Sequence, residues 1–238
     1  MRVFTYAERP DLAQRTGEVE DVLPTFAGHG HVALEHWHKL RPELPHLQLI
    51  LWDEEHDLVV GHARTLPTRE ADGLPGGIDD MLELWFGDGE RPVPDVLSAM
   101  VAVVDRNHHG GGLSRLLIEG MRDLAAREGY GSLVAPVRPT WKERYPLIAM
   151  DDYVRWTRDD GLPFDPWLRV HARLGAELLE VCPASMRVEG SREEWEEWTG
   201  MHFPDDGDYT VPGALVPVRF EGGRGVYVEP NAWMRHAC

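Results

Sequence analysis

Chemistry in this sequence is concentrated first in a run of glycines set between two apolar stretches. Val96-Leu-Ser-Ala-Met-Val-Ala-Val-Val104 leads into Asp105-Arg-Asn-His-His-Gly-Gly-Gly-Leu-Ser114; an amphipathic run then reaches Gly129, and Ser132-Leu-Val-Ala-Pro-Val137 follows. The pattern predicts strand, turn, helix, strand. Glycine lets the backbone turn where a side chain would block it, and the first amides of the helix have no acceptor within the helix. Together with the positive end of the helix dipole they favour an anionic group such as a pyrophosphate. Spacing then narrows the nucleotide folds. A Gly-x-Gly-x-x-Gly fingerprint starting at Gly110 requires glycine where Arg115 stands, and a P-loop requires Gly-Lys-Ser/Thr at its end; neither pattern is met.

Other reactive residue types are less organised. His29, His31, His36, His38 and His46 cluster early, but no cysteine or carboxylate pattern completes a ligand set, and on a helix His36 and His38 point to different faces, so no metal site is expected. Cys182 and Cys238 lie far apart without metal-ligand spacing and read as free thiols. The net charge of −17, from 41 acidic and 24 basic residues, argues against nucleic acid or an anionic membrane as partner and is compatible with a cationic or amine acceptor. A phosphate ligand needs a local exception, for which Arg106, Arg115 and Arg138 are the candidates. No apolar run approaches a membrane span and Met1 to Glu8 lacks the core of a signal peptide, so a cytoplasmic protein is expected.

The elements that must position these residues follow from periodicity. Glu18 to Phe26 and Val32 to Leu40 read as helices, the second stopped by Pro42; Leu47 to Trp52 and Leu58 to Thr65 flank a hairpin turn; Ile78 to Phe86 reads as a helix. The helix after the glycines carries an apolar stripe of Leu113, Leu116, Leu117, Met121, Leu124 and Ala125. Arg138 to Asp165 is rich in aromatics and proline and reads as a packed wall, with a helix over Met150 to Arg158. A helix over Pro166 to Leu174, ended by Gly175, precedes strands at Ala176 to Cys182 and Met186 to Glu189. The division expected is a core over residues 1–190, with an insert at 138–165, and a C-terminal extension over 191–238 docked on it through Trp195, Trp198, Tyr227 and Trp233.

His109-Gly110-Gly111-Gly112-Leu113-Ser114 resembles the coenzyme A turn of the GNAT acyltransferases, Gln/Arg-x-x-Gly-x-Gly/Ala, with His109 and Ser114 as conservative departures. The resemblance implies an α/β GNAT fold with a mixed central sheet flanked by helices. It implies acyl-CoA as co-substrate, lying along Val101, Val103 and Val104 and over Asn107, His109, Gly110, Gly111, Gly112, Leu113 and Ser114. It also places His171, in His171-Ala-Arg-Leu-Gly-Ala176, where the family's Tyr-x-x-x-Gly-Phe segment carries its acidic tyrosine. The strand Val96 to Val104 holds no carboxylate, so the general base that some members take from that strand is missing.

A narrower resemblance rests on longer runs. Arg138-Pro-Thr140, Arg144-Tyr-Pro-Leu147, Asp159-Asp-Gly-Leu-Pro-Phe-Asp-Pro-Trp-Leu-Arg-Val-His171, Glu194-Trp-Glu-Glu-Trp-Thr-Gly-Met201 and Tyr227-Val-Glu-Pro-Asn-Ala-Trp-Met-Arg-His236 are similar to the GNAT-like domains of polyketide synthase loading modules. That group decarboxylates malonyl-CoA-type thioesters or passes acyl groups to a carrier-protein thiol. The resemblance implies Thr140 and His171 as the catalytic pair, with Trp37 walling the pocket and Arg187 holding a carboxylate. Thr140 could donate to the thioester oxygen, while His171 could protonate an enolate or deprotonate an amine or thiol. The function expected is acyl transfer from acetyl-, malonyl- or succinyl-CoA to a small amine in specialised metabolism such as antibiotic biosynthesis. The alternatives are decarboxylation with loading of an acyl carrier protein, and a silent acyl-CoA-binding module.

Overall fold

A computed structural model describes residues 1–19, 23–71, 73–108 and 111–238. One sheet runs through it, built from β1 (Arg2–Thr5), β2 (Leu49–Asp53), β3 (Leu58–Thr68), β4 (Val96–Val104), β5 (Ser132–Val137), β6 (Glu177–Ser191), β7 (Gly207–Tyr209), β8 (Val218–Glu221) and β9 (Arg224–Ala237). The order is β1-β2-β3-β4-β5-β9-β8-β7, with β6 along the other edge of β9. Every pairing is antiparallel except β4 with β5. β4 is apolar along its whole length because most of it is buried, as expected of a strand covered on both faces.

Right-handed crossovers set the helices. α5 (Leu113–Arg127) links β4 to β5, and α7 (Pro166–Arg173) links β5 to β6, which run parallel with β9 between them. The two helices are neighbours: Arg122 of α5 donates to the carbonyls of Leu174 and Ala237. The α5 stripe buries Leu113, Leu117, Ile118, Met121, Leu124 and Ala125, while Leu116 is 36% exposed. At about 100° per residue Leu116 lies off the centre of that stripe and Ile118 takes its place.

Several expected elements differ. The first helical stretch resolves into 3-10 turns at Thr16–Glu18 and Thr25–His29, with residues 20–22 outside the description. The second is divided into α2 (His31–His36), a 3-10 turn and α3 (Leu40–Glu43). Pro42 does not stop it, because in the first turn of α3 a missing N–H costs nothing. α4 spans Ile78–Phe86 as predicted. Its N-terminus sits against a break in the β6 register between Cys182 and Met186, so close that a Cβ on Gly77 would lie 2.2 Å from Ser185 Cα.

The largest correction concerns the C-terminus. Residues 191–238 do not form an appendage docked on a finished core: β9 lies between β5 and β6, pairing Val137 with Ala232 on one edge and Val181 with Ala232 on the other. The core over residues 1–190 therefore lacks a central strand without this tail. The tail's own layer, with α8 (Arg192–Thr199) and the buried Trp195, Phe203, Phe220 and Tyr227, packs around Phe26. In the insert, α6 is only Met150–Tyr153, because the chain turns at Asp159-Asp-Gly161 to bring Thr157 beside Pro163. The wall expected there is present: Trp141, Tyr145, Tyr153, Trp156 and Phe164 pack together. Lys142, fully buried among them, donates to the carbonyls of Tyr145 and Leu215.

Candidate active site

The parallel pair at the centre of the sheet opens almost as soon as it forms. β4 and β5 are in register only at Leu97 with Leu133 and Ser98 with Val134. On its other edge β4 carries a bulge: Thr65 faces Ala99 and Arg64 faces Val101, leaving Met100 as the extra residue, which turns the strand further. From Ala99 onward no described strand pairs with the β5-side edge of β4, so its backbone polar groups face the gap between the two strands. The glycine turn and the start of α5 stand at the far end of β4. Gly112 adopts φ 72°, a left-handed conformation that favours glycine, and α5 begins without a side-chain cap, leaving its first amides for another acceptor.

The residues expected to hold coenzyme A lie along this edge. Val101 is half-buried, Val103 and Val104 are buried in two different apolar clusters, and Asn107, Gly111 and Gly112 are exposed, with Leu113 buried and Ser114 half-buried. His109 and Gly110 fall outside the described residues. The arginines proposed for the phosphates are differently engaged. Arg115 pairs with Glu119 on the α5 surface, and Arg138 is withdrawn altogether, donating to the buried Glu229 carboxylate at 3.0 Å and to the Gly213 carbonyl.

α7 supplies the other wall. Its N-cap Asp165, 1% exposed, accepts from the backbone amides of Trp167 and Leu168, and also from those of Thr140 and Trp141 and from the Tyr153 hydroxyl. One carboxylate thus ties the end of β5, the aromatic insert and the start of α7 together. His171 lies six residues further along the helix, a rise of about 9 Å from the N-cap that holds the Thr140 amide. Thr140 is exposed and His171 is buried.

His171 does not stand alone. Its Nδ1 lies 2.9 Å from Nε2 of His236 on β9, and the edge of Trp167 packs on its ring at 4.6 Å between centroids. Both imidazoles are almost fully buried, and Nε2 of His171 and Nδ1 of His236 have no partner. Burial drives both groups toward the neutral form: His171 is pushed down to about 3, with His236 adding to the effect, and His236 to about 4, with the Arg122 charge adding. A neutral imidazole with one free nitrogen can accept or donate a proton, depending on its tautomer.

A second group of titratable side chains lies where α4 meets β6. Asp79 Oδ2 accepts from the Arg187 amide, while its Oδ1 is buried without a partner. Burial, with repulsion from Glu83 and Glu229, raises its carboxyl to about 6. The Ser185 hydroxyl accepts from the Ile78 amide and from the Asn231 side chain, whose Oδ1 is also buried and unpaired. The structure does not hold Arg187 as a carboxylate clamp: its side chain is exposed on the edge strand β6 and paired with Glu189. Trp37 is half-buried and packs on the main core. Of the early histidines, His29 stacks on Trp198 and His36 faces Glu83 at 3.6 Å. Sequence reasoning assigned nothing to His236, Asp165 or Asp79. His236 and Asp165 sit inside the quoted similar runs, but only the fold brings His236 across from β9 to α7.

No family model matches the chain. The chain is 30% identical over 267 aligned residues to the arginine N-acetyltransferase avaD of Aspergillus versicolor, covering 98% of this chain and 92% of the relative. Among solved structures, the loading GNATL domain of CurA from Lyngbya majuscula superposes with a TM-score of 0.61 at 17% identity, covering 99% of this chain and 96% of that one. The GphF GNAT-like decarboxylase in complex with isobutyryl-CoA gives 0.57 at 18% identity, covering 100% and 99%. At these identities the superpositions speak for the fold alone, over nearly the whole chain. Among the described residues no helix is long and apolar enough to cross a membrane. Fold and full-length relative agree, and the chain belongs to the GNAT superfamily of acyltransferases.

Proposed function

We propose that this acyltransferase moves an acyl group from coenzyme A to the amine of a small cationic metabolite, an arginine-like amino acid or polyamine. The observation that carries the reading is the full-length relationship to an arginine N-acetyltransferase. Two features of the chain support it. The Asp79 carboxyl, with a buried and unpartnered Oδ1 and Glu83 nearby, suits a cation, and β4 offers no carboxylate to serve as base, leaving that role to His171.

In this reading acyl-CoA enters the wedge between β4 and β5 with its phosphates at the start of α5. The acceptor amine attacks the thioester carbon, and its proton passes to Nε2 of His171 as the C–N bond forms. The C–S bond then breaks, and the same proton leaves with the thiolate as free thiol. The desolvated imidazole is a weak base when free, but it remains neutral and ready at physiological pH, and it gains basicity as negative charge grows on the tetrahedral oxygen beside it.

Incubation with acetyl-, malonyl- and succinyl-CoA, with and without arginine, agmatine and spermidine, tests this by mass spectrometry. Thiol release should require the amine, and His171→Ala should lower kcat strongly with little change in coenzyme A affinity. Conversion of malonyl-CoA to acetyl-CoA without any amine, or a His171→Ala enzyme with full turnover, overturns the reading.

A further inference from the structure

His236, the buried partner of His171, has no role in the reaction as proposed above. A histidine buried in an apolar site has little to fix its ring, because χ2 is broad and two neutral tautomers compete. Here Nδ1 of His171 meets Nε2 of His236 at 2.9 Å, and a single proton must occupy that contact when both rings are neutral. The proton assignment decides the chemistry of the far nitrogen. If His171 Nδ1 carries the proton, its Nε2 presents a lone pair and can act as a base. If His236 Nε2 carries it, His171 Nε2 is an N–H and can only donate.

We infer that His236 is a positioning residue: its Nε2 accepts the Nδ1–H of His171 and holds that ring with the Nε2 lone pair facing the acyl group. This rests on the reading of His171 as the base in amine acylation. The site is built to keep the ring in place. Trp167, one turn earlier on α7, closes one side of it. β9 fixes His236 opposite Leu133 of β5, and Arg122 of α5, bonded to the carbonyls of Leu174 and Ala237, ties the end of α7 to the end of β9. These are the strand and helix whose separation sets the width of the dyad, so the contact is anchored at both ends. The arrangement has the logic of a base oriented by a third group, with an imidazole in place of the usual carboxylate.

The test combines a direct readout with activity. In wild-type protein labelled with 15N-histidine, the His171 resonances, assigned by their loss in His171→Gln, should show Nε2 as the lone-pair nitrogen and Nδ1 as the protonated one at pH 7. His236→Leu, which removes the acceptor, should lower kcat by about tenfold or more with KM for acyl-CoA nearly unchanged. His236→Gln, whose carbonyl oxygen reaches near the former Nε2, should recover most of that loss. An Nε2–H tautomer in the wild type overturns the proposal whatever the kinetics. So does a His236→Leu enzyme with wild-type kcat. If that occurs while His171→Ala is inactive, the positioning role alone falls; if His171→Ala is active as well, the catalytic reading of His171 falls with it.

Discussion

The two buried imidazoles make stability depend on pH in a calculable direction. His171 and His236 titrate near 3 and 4 in the folded chain against 6.5 for an ordinary histidine. Their folded values are depressed, so the unfolded chain binds more protons between about pH 4 and 6.5, and stability is present above 6.5 and lost as the pH falls below it. From pH 7 to pH 5 each unfolded histidine gains roughly 2 kcal/mol of protonation free energy that its native counterpart does not, or about 4 kcal/mol for the pair. Asp79 works the other way. Its raised carboxyl takes up a proton in the folded state first and, discounted for its partial exposure, returns about 1 kcal/mol over the same interval. A net loss of roughly 2–3 kcal/mol is expected. Urea unfolding followed by tryptophan fluorescence at pH 7, 6 and 5 measures it, and His236→Gln should show a loss smaller by about 2 kcal/mol. Equal pH dependence in wild type and variant refutes the reasoning, because it means that His236 is charged or solvated in the native state.

Three further outcomes follow from single contacts. Gly112→Val forces a β-branched residue into a left-handed conformation at about 1–2 kcal/mol of strain and should raise the Kd for coenzyme A at least tenfold by calorimetry, with kcat at saturation little changed. Asp165→Ala removes an N-cap together with the carboxylate that holds Thr140, Trp141 and Tyr153, and should cost about 3 kcal/mol in denaturant unfolding. Glu229→Leu strands the buried Arg138 and should cost about 3–5 kcal/mol, while adding Arg138→Met should restore part of that loss.

Where local pattern decides structure, the sequence was readable. The α4, β4 and β5 limits and the glycine ends of α5 and α7 depend on periodicity and on residues a few positions apart. Free Cys182 and Cys238 also follow the reading. What escaped depends on distance along the chain. Nothing near Ala232 announces that it pairs with both β5 and β6, so the tail read as an extension. The same topology joins His236 to His171 across 65 positions and Glu229 to Arg138 across 91, converting an apparently available arginine into a buried ion pair. Arg187 illustrates the converse: a residue placed by resemblance alone meets Glu189, two positions away, on an exposed edge.

The relation between the α7 histidine and its partner bears on how one scaffold divides amine acylation from decarboxylation. Both reactions need an oxygen stabilised and one proton moved, but in opposite senses. Acylation takes a proton from the nucleophile at the start, whereas an enolate left by loss of carbon dioxide must receive one. A lone buried histidine could serve either, since its two neutral tautomers differ little in energy. A second buried ring on β9 removes that symmetry, because whichever nitrogen of the pair holds the shared proton determines what His171 Nε2 offers. With His171 as the proposed base, specificity for the reaction resides less in the identity of His171 than in what its Nδ1 meets. Residues around His236, rather than those lining the thioester, become the place where a change could turn acceptance of a proton into donation. In the proposed reaction Asp79 on α4, whose buried Oδ1 has no partner, meets the cationic acceptor separately from the imidazole pair. The partition predicts that variants of Asp79 should alter which amine is used while leaving the His171 tautomer unchanged.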